Sequence, residues 1–261
     1  GSSHCEPLLF NTASEWKRDK MGEWDYINNK EGVNKVLKSR VDECAPFENV
    51  YTLALRGLHD RAMNASNNMD DRKKMLQEAL MAQRQMLVDA IGKRAEDIPQ
   101  AFTPYKEVLD VYDQGLELPD DVTIIWPDDN YGYMKRLSSP KEQKRSGRSG
   151  VYYHSSYLGK PHDHLWMNTT SPTLMYEELR KAYDMTADRI WLLNAGDIKS
   201  CEFAVDYFLT MAFDIDSFNF ERAANYRTEW LCGMLGDDYR TEYQDVINSF
   251  YKLAFARKPE F

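Results

Sequence analysis

Short β-rich runs alternate with helical runs along most of the chain. Val33, Val36, Leu37 and Val41 share one face of a helix expected over residues 30–44. Residues 50–55 then read as a buried strand. Leu76, Leu80, Leu87 and Ile91 keep helical spacing over 70–91, and Gly92 ends that helix. Residues 98–103 predict a weak strand between Pro99 and Pro104, and 106–114 a short helix. Residues 122–126 are β-branched and continuous, the clearest strand of the chain. A polar, mobile loop is expected over 138–150, followed by a strand over 151–157. Ser171 and Pro172 open a helix to residue 185. A strand over 189–193 and a helix over 202–212 follow, and only helix is expected over 219–256.

Five βα units in strict alternation imply a parallel sheet covered by helices. An open doubly wound sheet and a closed barrel both satisfy that pattern. The open sheet favours a glycine-rich phosphate turn, and neither GxGxxG nor GxxxxGK[ST] occurs. Instead, the strands end in polar clusters: Arg56 and Asp60; Tyr105 and Glu107; Asp128, Asp129 and Asn130; His154 and Tyr157; Asn194 and Asp197. Barrels collect such side chains at their C-terminal strand ends. The expected fold is therefore α/β, a TIM-type (β/α)8 barrel truncated at its N-terminus. About six strand positions are expected, the first reduced to its end near His4, with a helical segment after the barrel. The expected division is a partial barrel over 1–214 and the start of a helical domain over 215–261.

Composition narrows the function. Apolar residues make up 43% of 261, enough for a sizeable core. The net charge of −9 argues against nucleic acid as a partner. No apolar run is long enough to span a membrane. The four cysteines, Cys5, Cys44, Cys201 and Cys232, form no CxxC pair, so no structural zinc site is suggested. Asn64 and Asn168 begin glycosylation sequons, relevant only in a secretory eukaryotic host.

Several motifs carry a specific resemblance. They are SHCEP (Ser3–Pro7), LRG (Leu55–Gly57) with His59 and Asp60, YKEV (Tyr105–Val108) and DDVTIIWPDDNYG (Asp120–Gly132). GVYYHSSYLG (Gly150–Gly159), PHD (Pro161–Asp163), LWMNTT (Leu165–Thr170), ADRIWLLN (Ala187–Asn194) and GDIK (Gly196–Lys199) follow in order. Together they resemble glycoside hydrolase family 115. The resemblance implies xylan α-1,2-glucuronidase activity with inversion at the anomeric carbon. It also implies a TIM-type barrel between an N-terminal α/β domain and C-terminal domains. The chain is shorter than the family pattern, so the activity is expected of the parent protein, and the fragment alone can be inactive.

Inverting hydrolysis needs one carboxylic acid for the departing oxygen and one carboxylate to activate water. Glu107 matches the family's Tyr-Lys-Glu motif and is the expected acid, with a raised pKa from partial burial and neighbouring Asp charges. Asp60, four residues after Arg56, is the expected base. A planar guanidinium suits the uronate carboxylate, which points to Arg56, with Lys106 next. His4, His154 and Tyr157 match family positions near the sugar. Glu6, Tyr105, Asp129 and Asn130 complete the expected substrate-binding set. Asp128 or Asp129 is expected to orient Asn130.

No cofactor and no metal are expected. The expected partners are glucuronoxylan or its oligosaccharides, with a homodimer of the parent protein as a further expectation. A secreted or periplasmic parent is expected. Two other readings stand beside this one. His162, Asp163 and His164 could serve a metal-dependent hydrolase on a TIM-type barrel. A non-catalytic carbohydrate-binding protein would not need carboxylates at strand ends.

Overall fold

The computed structural model describes residues 5–58 and 61–258. The fold is α/β. Five strands lie in one sheet in chain order: β1 (Tyr51–Thr52), β2 (Gln100–Phe102), β3 (Thr123–Pro127), β4 (Ser149–His154) and β5 (Ala187–Asn194). β1 pairs with β2 in parallel, Tyr51 opposite Gln100, and β2 with β3, Phe102 opposite Ile124. From β3 to β4, the bonds Ile124 N–H to Arg148 O and Asp128 N–H to Tyr152 O advance together, as parallel strands require. The sheet is the five-stranded parallel half-barrel of an α/β fold. The further strand position expected at His4 lies outside the described residues.

The helices are α1 (Thr12–Glu15), α2 (Arg18–Met21), α3 (Lys30–Cys44), α4 (Met69–Ile91), α5 (Glu107–Asp113), α6 (Pro172–Asp184), α7 (Ile198–Phe213), α8 (Phe220–Leu235) and α9 (Arg240–Ala256). The chain divides into two compact units, Gly1–Ile125 with Lys144–Ser149, and Trp126–Gln143 with Gly150–Phe261.

In the first unit α3 packs on α4. Val33, Leu37 and Val41 form the buried stripe of α3, and Leu76, Ala79, Leu80 and Leu87 that of α4. Asn68 caps α4 by accepting from the N–H groups of Asp70 and Asp71, and Gly92 closes it in the left-handed conformation. β1 is shorter than the expected strand over 50–55. Where its ladder stops, the buried amide of Gln83 on α4 accepts from Ala54 N–H at 3.0 Å and donates to Ala54 O at 2.7 Å. A polar side chain at an inward position of α4 thus continues the pairing of the strand end that leads into Arg56. The polar stretch before β4 is pinned rather than mobile: the Arg145 guanidinium donates to the carbonyls of Leu118, Pro119 and Val122. A guanidinium has enough donors to hold several loop carbonyls at once.

In the second unit Ser171 caps α6 by accepting from Leu174 N–H, with Pro172 at the first helical position. α8 packs on α6 and α9. α7 starts earlier than expected, through a distorted turn in which Ser200 takes φ +76°. The expected helical stretch over 219–256 is two helices, because Gly236 follows α8 with φ +93° and breaks the run. No helix among the described residues is long and apolar enough to cross a membrane.

Candidate active site

In the first unit the chemistry gathers just beyond β1 and β2. Arg56 is 5% exposed, at the end of the segment that Gln83 holds. Its carbonyl accepts from the Trp24 indole N–H at 2.7 Å, which fixes the backbone at this point. Its guanidinium grips Glu107 with two donors, Nε to Oε1 at 3.1 Å and Nη2 to Oε2 at 3.0 Å. Met63 N–H donates to the same Oε1 at 3.0 Å. The Tyr105 ring lies 5.4 Å from the Arg56 guanidinium and 4.9 Å from Lys106 Nζ. Lys106 precedes α5 rather than lying within it, with φ +52°, a backbone conformation that a side chain disfavours. That turn delivers Glu107 as the first residue of α5.

This geometry corrects one expectation. Burial raises the Glu107 pKa, but the hydrogen bonds and charge of Arg56, with the Met63 N–H, outweigh it and hold the carboxyl below its ordinary value. Glu107 is therefore ionised while Arg56 grips it. Glu6 is buried and turned to local structure, its carboxylate accepting from Thr12 N–H at 2.6 Å. Asp60 and His4, the expected base and a sugar contact, lie outside the described residues.

In the second unit a buried dyad organises the end of β3 and β4. Asp128 Oδ1 lies 2.5 Å from His154 Nδ1. The same carboxylate accepts from the backbone N–H groups of Asn130 at 3.1 Å, Gly132 at 3.0 Å and His154 at 3.2 Å. Three backbone N–H groups and the His154 ring on one carboxylate leave it no freedom to turn. Asp128 thus orients Asn130, as one of the two aspartates was expected to do, and fixes the His154 ring as well. Sequence reasoning missed the second contact because it joins strand ends 26 residues apart.

Asn130 takes φ +71° and its carbonyl accepts from His164 Nε2 at 2.7 Å. A carbonyl only accepts, so His164 carries a proton on Nε2. Asp129 closes the turn itself, its Oδ1 accepting from Tyr131 N–H at 3.0 Å and Tyr133 N–H at 3.1 Å. His154 is flanked by the Tyr152 ring at 4.5 Å and the Tyr157 ring at 5.6 Å. Tyr157 also stands edge-on to Tyr131 at 6.0 Å. Asn194, at the end of β5, donates through its amide to the Tyr152 hydroxyl at 3.0 Å. The structure thus groups Asn130, His154 and Tyr157 with two residues outside the expected set, Asp128 and His164. Asp163 accepts from Gly159 N–H, and among the described residues no three His, Cys, Asp or Glu side chains gather as a metal site would require.

Each unit thus carries its own buried polar group at strand ends, the Arg56–Glu107 pair in the first and the Asp128–His154 dyad with its tyrosines in the second. The model of glycosyl hydrolase family 115 matches residues 1–261. The chain belongs to this family. A comparison with curated proteins gives no match. Among solved structures, the family's members include a 4-O-methyl-α-glucuronidase, BtGH115A, described as specific for decorated arabinogalactans. The chain is 42% identical to it, with a TM-score of 0.95 over 100% of this chain. The match covers 34% of that structure, so the chain spans about a third of its length.

Proposed function

We propose that the full-length family 115 protein is an α-glucuronidase that releases glucuronic acid, free or 4-O-methylated, from α-1,2-substituted glucuronoxylan with inversion. The observation that carries this reading is the 42% identity to a 4-O-methyl-α-glucuronidase along the whole chain. The site chemistry supports it. In this reading the five-stranded half-barrel is part of a TIM-type (β/α)8 barrel over residues 1–214, and 215–261 opens a helical domain. The substrate carboxylate competes with Glu107 for the Arg56 fork. Once Arg56 turns to the uronate, Glu107 loses the cation that keeps it ionised, takes up a proton and becomes the general acid. It gives that proton to the backbone-sugar oxygen as the glycosidic bond breaks, while Asp60 draws a proton from the water attacking the anomeric carbon. Asn130, His154 and Tyr157 hold sugar hydroxyls, with Asp128 fixing the His154 ring. Tyr105, whose ring lies beside the Arg56 guanidinium, is a further sugar contact in this reading.

A second reading replaces xylan by glucuronidated arabinogalactan, favoured by the described specificity of BtGH115A. Both readings use the same glucuronyl chemistry and differ only in the backbone. Sugar release from each polymer by the full-length protein separates them. Release from glucuronoxylan alone supports the first reading, and release from arabinogalactan alone replaces it with the second. No release from either overturns the glucuronidase assignment. Proton NMR of the first-formed anomer tests inversion.

A further inference from the structure

Residues 158–166 form a loop of the second unit with unusual apolar exposure. Trp166 is 63% exposed and Leu158 75%. They wall an open cleft of about 650 Å3 whose rim carries Lys160, His162 and Asp163. Tryptophan is on average a strongly buried residue, and leaving its apolar surface in water forgoes the stabilisation that burial would bring. Its exposed face therefore adds little to folding.

The loop is nonetheless built. Tyr157 and His164 exchange both backbone hydrogen bonds across its base, at 2.8 and 2.9 Å. The Tyr157 hydroxyl donates to Lys160 O at 3.0 Å and the Tyr131 hydroxyl to His162 O at 2.9 Å. The Ser200 hydroxyl donates to Trp166 O at 2.9 Å. Preorganisation of this kind lowers the entropic cost of binding. The two residues paired at the base of the loop also reach the second unit's polar group: the Tyr157 ring lies 5.6 Å from that of His154, and His164 Nε2 donates to the Asn130 carbonyl at 2.7 Å.

A pyranose ring has an apolar C–H face and a rim of hydroxyls. A flat indole beside Leu158 matches the face, and Lys160, His162 and Asp163 supply donors and acceptors for the rim. We propose that Trp166 and Leu158 form a stacking platform for the neutral pyranose rings of the backbone that carries the glucuronyl group. This rests on the glucuronidase reading for its place in the reaction, but the binding itself can be measured apart from turnover.

The test uses the full-length protein and uronate-free oligosaccharides, xylotetraose and a β-galactotetraose, titrated by calorimetry. Wild type is expected to bind one of them, which identifies the backbone as xylan or galactan. Trp166→Ala should weaken that binding about tenfold, equivalent to roughly 1.4 kcal/mol. Trp166→Phe, which keeps a flat ring, should stay within about threefold of wild type. The same affinity in wild type and Trp166→Ala overturns the platform, as does binding of neither oligosaccharide by wild type. Release of glucuronic acid from the polymers is scored separately, so failure of the glucuronidase reading is distinguishable from failure of the platform.

Discussion

Arg56 and Glu107, 51 residues apart in the chain, meet as a two-pronged ion pair in which the arginine side chain is 4% exposed and the glutamate 20%. Removing one partner of such a pair strands the other. Arg56→Ala should cost about 3 kcal/mol of stability, because the Glu107 carboxylate is left partly buried without its cation. Thermal unfolding of the full-length protein checks this. A change below about 0.5 kcal/mol would show that the pair contributes nothing.

The same pair gives a pH dependence with a defined sign. The folded-state pKa of Glu107 lies below its ordinary value of 4.5. Its contribution is present above that ordinary value and is lost as pH falls through the lower folded value. Stability should therefore decline below about pH 4.5. Arg56→Ala should flatten this part of the curve, with Glu107 then titrating higher. A wild-type curve and a variant curve of identical shape would remove Glu107 as the titrating group.

The proposed roles predict different substrate profiles. Glu107→Gln should abolish release from glucuronoxylan, since a sugar hydroxyl leaves poorly without protonation, and should spare an aryl glucuronide with an acidic phenol. Asp60→Asn should impair both, because each needs attacking water. Comparable loss of both activities in a folded Glu107→Gln protein would end the acid assignment.

Asp128 accepts four hydrogen bonds, one of them from the His154 ring if Nδ1 carries the proton. Asp128→Asn puts an amide N–H where an acceptor is needed and removes the charge beside His154. The expected cost is about 2–3 kcal/mol of stability with a fall in kcat. Calorimetry and steady-state kinetics measure the two effects. An unchanged rate would make the dyad purely structural.

Gly132 turns the chain after Asn130 at φ +96°, and a Cβ there would stand 2.8 Å from the Tyr153 hydroxyl oxygen and 3.1 Å from Thr170 Cγ2. Gly132→Ala should destabilise by about 2 kcal/mol, combining backbone strain with the contacts. Adding Tyr153→Phe should relieve part of this, because it removes only the nearer atom. Exact additivity of the two substitutions in unfolding experiments would disprove the contact.

The sequence by itself determined the elements whose causes are local. Periodic Val33, Leu37 and Val41 make α3, Asn68 and Gly92 bound α4, and Ser171 with Pro172 starts α6. The run from Thr123 to Pro127 is a strand because β-branched and apolar residues without alternation suit a position buried on both faces. Family membership was legible for a related reason: its motifs are short contiguous strings at strand ends. Polar side chains at strand ends marked the candidate residues but not the pairings among them. Only the tertiary structure decided that Glu107 faces Arg56 and is held ionised, that Asp128 grips His154, and that Gln83 extends the pairing of the β1 strand end. Each of these joins residues 26 or more apart in sequence. Which carboxylate meets which base depends on strand register and turn geometry, and a pKa depends on the sum of burial and neighbouring charge, so neither is a property of a local stretch of chain.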